Sequence, residues 1–178
     1  MKIEIPSPPR TIMEVYKMLP EGTLAELIDG QIFMSPAPTN QHQRVLLAIF
    51  RKLDDFISDQ NLGVIFIAPS DVYLDQTSNA VQPDIYFIAR QNKMVIRDTE
   101  PNEGVPDLVI ELLSPGNTKH DVITKKNLYE KFGVKEYWIV DPATKETTVY
   151  QLQNNSYQLI GKEVGKAKSI LLNQLFEF

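Results

Sequence analysis

The segment VIELLSPGNTKHDVITKK (residues 109–126) decides how the rest of the chain is read. Val109, Ile110, Leu112 and Leu113 have the composition of a buried strand, yet Glu111 stands among them. A carboxylate is costly to bury unless a partner neutralises it. Side chains alternate across a strand, so Val109, Glu111 and Leu113 share one face. After the SPGN break, the pattern predicts a helix over residues 119–132, closed by Gly133 as its C-cap. At about 100° per residue, Val122, Lys125, Tyr129 and Phe132 fall in one narrow sector. Lys125 thus points with residues that should face the sheet. Lys119 and Lys126 lie to one side of that sector and Lys131 on the far side. A surface pair between Asp121 and Lys125, worth about a few tenths of a kcal/mol, leaves the direction of Lys125 unexplained. An inward ammonium needs an anion, and Glu111 is the candidate. A structural ion pair or a solvated strand end is the alternative.

Working outward, Pro6, Pro8 and Pro9 predict an extended arm over residues 1–10. Thr11 and Glu14 form a capping-box pattern for a short helix to about residue 19. In AELIDGQIFM, Asp29-Gly30 is a two-residue turn between strand-like runs, which predicts a hairpin. SPAP breaks the pattern. Over residues 39–60, Val45, Ile49, Leu53 and Phe56, joined by Leu46, form a helical stripe. VIFIA, DVYLD and PDIYFIA then read as short strands, with a loop at residues 76–80. Residues 90–104 read as loop with room for a short helix. PDLVIELL and EYWIVDP read as strands, and TTVYQL pairs with SYQLIG through Asn154-Asn155. The tail SILLNQLFEF reads as short helix or turn. The expected architecture is one α+β domain over residues 1–178, a mixed sheet flanked by helices.

Bulk composition narrows the function classes. A chain of 178 residues suits one domain with a real core. No apolar run approaches the ~20 residues that span a bilayer, and MKIEIPSPPR lacks a signal peptide's apolar stretch. With no cysteine, disulfides and thiolate metal sites are excluded. A cytoplasmic location without membrane association is the expectation. The net charge of −5 argues against strong non-specific grip on a nucleic-acid backbone, which usually needs a basic face. Any phosphate chemistry must rest on a local patch, a metal ion, or both.

Asp84 supplies a second acid, behind Pro83 at the start of PDIYFIA, where a side chain projects from a sheet edge. Taken alone it is an ordinary turn residue. Together, Asp84, Glu111 and Lys125 make a chemical kit. Hard oxygen ligands hold Mg²⁺, which keeps several waters and accepts phosphate oxygens. The metal lowers the pKa of a bound water, and a lysine beside it can orient the nucleophile or stabilise the transition state.

The ordered series ELIDGQI, SPAPTNQHQ, QPDI, PDLVIELLSP and DVITKKNLYEKFGVKEYWIVDP resembles the Uma family of restriction endonucleases over about residues 26–142. That family belongs to the PD-(D/E)XK nuclease superfamily. The resemblance implies a restriction-endonuclease-like core with an N-terminal β-hairpin and C-terminal antiparallel strands. It also implies that Asp84 and Glu111 ligate Mg²⁺ or Mn²⁺. The superfamily pattern places a lysine two residues after the glutamate, where this chain has Leu113. The family's lysine matches Lys125, on the next helix. Glu26, His42 and Tyr129 match the family pattern as well. Glu26 is either a metal or water contact or a cross-strand partner. His42 shares the inward stripe of its helix and reads as a core histidine or a site residue. Tyr129 reads as core packing or a donor to phosphate.

The resulting expectation is a Mg²⁺- or Mn²⁺-dependent DNA endonuclease, expected as a homodimer when both strands of a duplex are cut. The first hairpin or the last meander would supply the dimer contact. The alternative is a catalytically weak or inactive binding or interaction module that keeps the fold without efficient chemistry. A carboxylate-pair sugar hydrolase would give Lys125 no role.

Overall fold

A computed structural model describes residues 8–114 and 120–178, with the backbone alone at residues 120–122. Residues 1–7 of the expected arm, residues 115–117 of the SPGN break, Lys119 and the side chains of Asp121 and Val122 lie outside the described residues.

The local signals produce local structure. Helix α1 (Ile12–Lys17) starts at Thr11, whose side chain accepts from the Glu14 N–H. The Glu14 carboxylate reaches back to the Arg10 N–H at 2.5 Å, one residue before the cap. Strands β1 (Ala25–Ile28) and β2 (Gln31–Met34) pair antiparallel through Asp29-Gly30. Both turn residues have positive φ, 45° and 78°, as a type I′ turn requires. Helix α2 (Asn40–Asp59) buries Val45, Leu46, Ile49 and Leu53 along its predicted stripe, with Ile57 in place of the half-buried Phe56.

The main sheet has six strands in the order β11-β10-β9-β8-β6-β3. They are β3 (Gly63–Ile67), β6 (Ile85–Ala89), β8 (Leu108–Leu112), β9 (Glu136–Val140), β10 (Glu146–Gln153) and β11 (Ser156–Val164). Strands β8 and β9 run parallel, joined by the crossover that carries Lys125, and the other neighbours are antiparallel. A second sheet runs β2-β1-β5-β4-β7, with β4 (Val72–Tyr73), β5 (Ala80–Val81) and β7 (Asn102–Glu103). Strand β5 begins inside the expected loop at residues 76–80. Residues 90–95 form one 3₁₀ segment.

Each face of the six-stranded sheet packs against something different. Ile85, Phe87, Ile110, Leu112 and Trp138 meet α2 on one face. Val109, Tyr86, Ile88, Tyr137 and Ile139 meet the second sheet and Leu128 and Tyr129 on the other. Glu111 therefore sits on the face of Val109, as strand alternation predicts. Each fully buried aliphatic side chain contributes about 1.5–3 kcal/mol, which is why this strand tolerates one carboxylate.

Two expectations require correction. The helix over residues 119–132 is not uniform: residues His120–Lys125 form a π-helical turn, followed by α3 (Lys126–Phe132). Such wider turns are enriched at functional sites, and this one ends on Lys125. Gly133 closes α3 at φ 84° as expected. The tail is a hairpin rather than helix or turn. Strand β12 (Lys166–Ser169) pairs with β13 (Gln174–Glu177), with Asn173 at φ 51° in the connection. Its hold is nonlocal. Buried Glu136 accepts from the Ile170 and Leu171 N–H groups at 2.8 Å each, and Phe176 meets Phe56 edge-on. No helix among the described residues is long and apolar enough to cross a membrane.

The loop before β5 is tied by Asp75. Partial burial works to raise its carboxyl, but hydrogen bonds from the Asn79 side chain and the Ser78 and Thr77 N–H groups outweigh it and hold the pKa down at about 2. Asn79 in turn accepts from the Asp29 N–H, joining this loop to the β1–β2 turn. A carboxyl depressed in the folded state contributes stability above its unfolded value of 3.8, lost as pH falls towards about 2. In urea titrations, wild-type stability should thus fall more steeply than that of Asp75→Asn across that interval. Equal slopes would count against the assignment.

Candidate active site

The antiparallel register brings the two acids together. Ile85 lies opposite Ile110, so extending the ladder by one residue sets Asp84 opposite Glu111. Directly opposed residues on one face have Cβ atoms roughly 5 Å apart. The placement is tightened by the Leu112 N–H, which donates to Asp84 Oδ2 at 2.7 Å. Twenty-six residues separate the acids in the chain, and no local pattern would pair them.

Lys125 completes the arrangement from the π-helical turn. Its Nζ lies 3.0 Å from Glu111 Oε1 and 3.0 Å from Glu26 Oε2. All three are buried, at 5%, 3% and 2% exposure. Taking such charges out of water costs several kcal/mol each unless further hydrogen bonds complete their shells. These are present. The Tyr129 hydroxyl donates to Glu111 Oε1 at 2.7 Å, and the Gln82 N–H donates to Glu26 Oε1 at 2.9 Å. Burial, with the Glu111 and Glu26 charges added, pushes the Tyr129 phenol well above its ordinary pKa, so it stays a donor.

His42 enters from the first turn of α2, where its backbone N–H donates to the Thr39 hydroxyl. Its Nε2 lies 3.3 Å from Asp84 Oδ2. All six residues singled out in the sequence thus fall in one connected cluster. His42, Asp84, Glu111 and Lys125 line a cavity of about 190 Å³, while Glu26 and Tyr129 stand behind Lys125 and Glu111. Glu26 is not paired across its own hairpin, where its register partner is Phe33. Leu113, in the superfamily's usual lysine position, packs into the apolar cluster of Val109.

Sequence reading passed over Gln82. Its side-chain amide donates to Asp71 Oδ1 at 2.7 Å and to the Thr23 carbonyl at 3.1 Å, which sets the backbone N–H on Glu26. Gln82 precedes Asp84 by two residues, so strand periodicity applied to QPDI puts both on one side. The cavity's apolar lining was equally illegible: Leu24, Pro36, Pro38 and Pro69 contribute to it, and SPAP reads locally as a pattern breaker only.

The donor set suits a hard cation in one specific sense. Among the described residues, no group of three or more acids or histidines has metal-holding geometry. Asp84 and Glu111 are a pair, and Mg²⁺ takes one or two protein carboxylates while keeping its waters. Two carboxylates share the Lys125 ammonium, and Asp84 adds a third acid beside them, an excess of acidic groups that a divalent cation would balance.

A mixed sheet with helices outside, an acid pair on adjoining strands and a buried lysine on the crossover define a restriction-endonuclease-like fold. The sequence profile described as "Uma2: Putative restriction endonuclease" matches residues 12–176, and the chain belongs to that family. A crystallised "putative nuclease" from Anabaena variabilis shares the fold, with a TM-score of 0.73 and 20% sequence identity. The alignment covers 93% of this chain and 92% of that one. No curated protein matches the chain.

Proposed function

We propose that the protein is a metal-dependent nuclease hydrolysing phosphodiester bonds of DNA. The observation that carries this reading is the opposition of Asp84 and Glu111 across one ladder with Lys125 Nζ 3.0 Å from Glu111. Restriction-endonuclease-like families generally use divalent metals, and here Asp84 and Glu111 would hold Mg²⁺ or Mn²⁺. Such an ion, when bound, polarises the phosphate and makes a bound water acidic.

The chain's own groups do the positioning. Lys125 lines the cavity, where it orients the attacking water or stabilises charge on the phosphorane. Glu26 and the Gln82 N–H behind it fix the ammonium. The Tyr129 phenol holds Glu111 by one oxygen, and His42 and the Leu112 N–H hold Asp84.

Plasmid and oligonucleotide DNA incubated with Mn²⁺ should be cleaved by the wild-type protein and spared after chelation. Glu111→Ala and Lys125→Ala should each abolish cleavage. Activity surviving both substitutions would remove the assignment. A second reading, a nuclease-fold binding module, draws on the net charge of −5 and on Lys125 being shared by two carboxylates. Calorimetric binding of neither Mn²⁺ nor DNA would favour an interaction module over the nuclease. DNA binding without Mn²⁺ uptake would favour the module.

A further inference from the structure

The geometry points to an unpaired nucleotide strand, rather than intact duplex, as the substrate of this site, an inference that rests on the nuclease reading above. The groups of the site are recessed: Glu111, His42 and Lys125 are 3%, 4% and 5% exposed, and the Asp84 side chain 17%. They face the interior of the cavity, not a convex surface. A phosphate on a base-paired helix has its position fixed by the stacked bases on either side. An unpaired strand rotates freely about its backbone and can carry a phosphate inward together with its base.

Two further features fit one such nucleotide. The cavity, at about 190 Å³, is smaller than the ~300–1,000 Å³ of ordinary ligand pockets. A space of that size admits a phosphate with its sugar, and a base-paired helix cannot enter it. Leu24 and the rings of Pro36, Pro38 and Pro69 supply apolar lining to the same cavity. Proline has no N–H to satisfy, so this lining can cover a base face without stranding a donor, and every base offers such a face. Enzymes that work inside pockets on paired DNA first extrude the nucleotide, and an already unpaired one avoids that cost.

The test compares one sequence as a single strand, as a full duplex, and as a duplex with a short central bubble. With Mn²⁺, the single strand should be cleaved at least about ten-fold faster than the duplex, a difference of about 1.4 kcal/mol. Cuts in the third substrate should fall within the bubble. Pro36→Asp, a change at an exposed rim position, should shrink the single-strand-to-duplex ratio. Equal or faster cleavage of the full duplex would overturn the proposal, as would an unchanged ratio in the variant. If no substrate is cleaved, the nuclease reading fails by itself. Fluorescence anisotropy in Ca²⁺ then decides the strand preference separately. Tighter binding of the single strand supports it, and equal or weaker binding overturns it.

Discussion

Lys125→Met is expected to lower the unfolding free energy by about 3–5 kcal/mol, the range for removing one partner of a buried ion pair. The wild-type ammonium lies 3.0 Å from carboxylate oxygens of both Glu26 and Glu111. Methionine keeps most of the side-chain volume, so a packing defect contributes little, and the loss comes from two buried acids facing each other without a counter-ion. Urea unfolding of wild type and variant at neutral pH measures it. The triple variant Glu26→Gln, Glu111→Gln, Lys125→Met should recover most of the deficit, because uncharged amides remove the repulsion. A loss below about 1 kcal/mol, the size of an exposed pair, would show that the lysine does not neutralise these acids.

Asp84→Asn is expected to slow Mn²⁺-dependent cleavage on the order of 10³-fold, because a metal's charge stabilisation is worth several kcal/mol and depends on its ligands. The substitution is chosen for what it preserves. The asparagine oxygen can still accept from the Leu112 N–H, so thermal unfolding should move little. Isothermal titration should show Mn²⁺ affinity falling with activity. His42→Ala should weaken the metal by about 10–100-fold, the usual cost of losing a group that orients a ligand. Full Mn²⁺ affinity in Asp84→Asn would mean that Asp84 is not a ligand, whatever happens to cleavage.

Much of this site is legible in one dimension because its parts obey short periods. Glu111 stands on the face of Val109 by a period of two, and Lys125 and Tyr129 turn inward together by a period of 3.6. The wheel placed Lys125 correctly although the turn ending on it is π-helical, since Tyr129 and Phe132 follow in regular helix. Gln82 was open to the same logic and was missed because its contribution is made through a backbone N–H. The tail failed for a different reason. SILLNQLFEF has no decisive period, and what holds β12 and β13 is Glu136, more than thirty residues upstream.

Elements whose causes lie within a few residues can be read directly along the chain. These are the Thr11 cap, the Asp29-Gly30 and Asn154-Asn155 turns, the α2 stripe, the apolar strands and the inward direction of Lys125. Tertiary structure alone decided which acid meets which. Asp84 faces Glu111 only because β6 and β8 adopt one antiparallel register, and Glu26 reaches Lys125 from a different sheet about a hundred residues earlier. Those contacts depend on closing long loops and excluding water from charged groups, and both are properties of the packed whole. The apolar lining of the cavity belongs to the same category, because Leu24, Pro36 with Pro38, and Pro69 come from three separate segments that converge only in the packed fold.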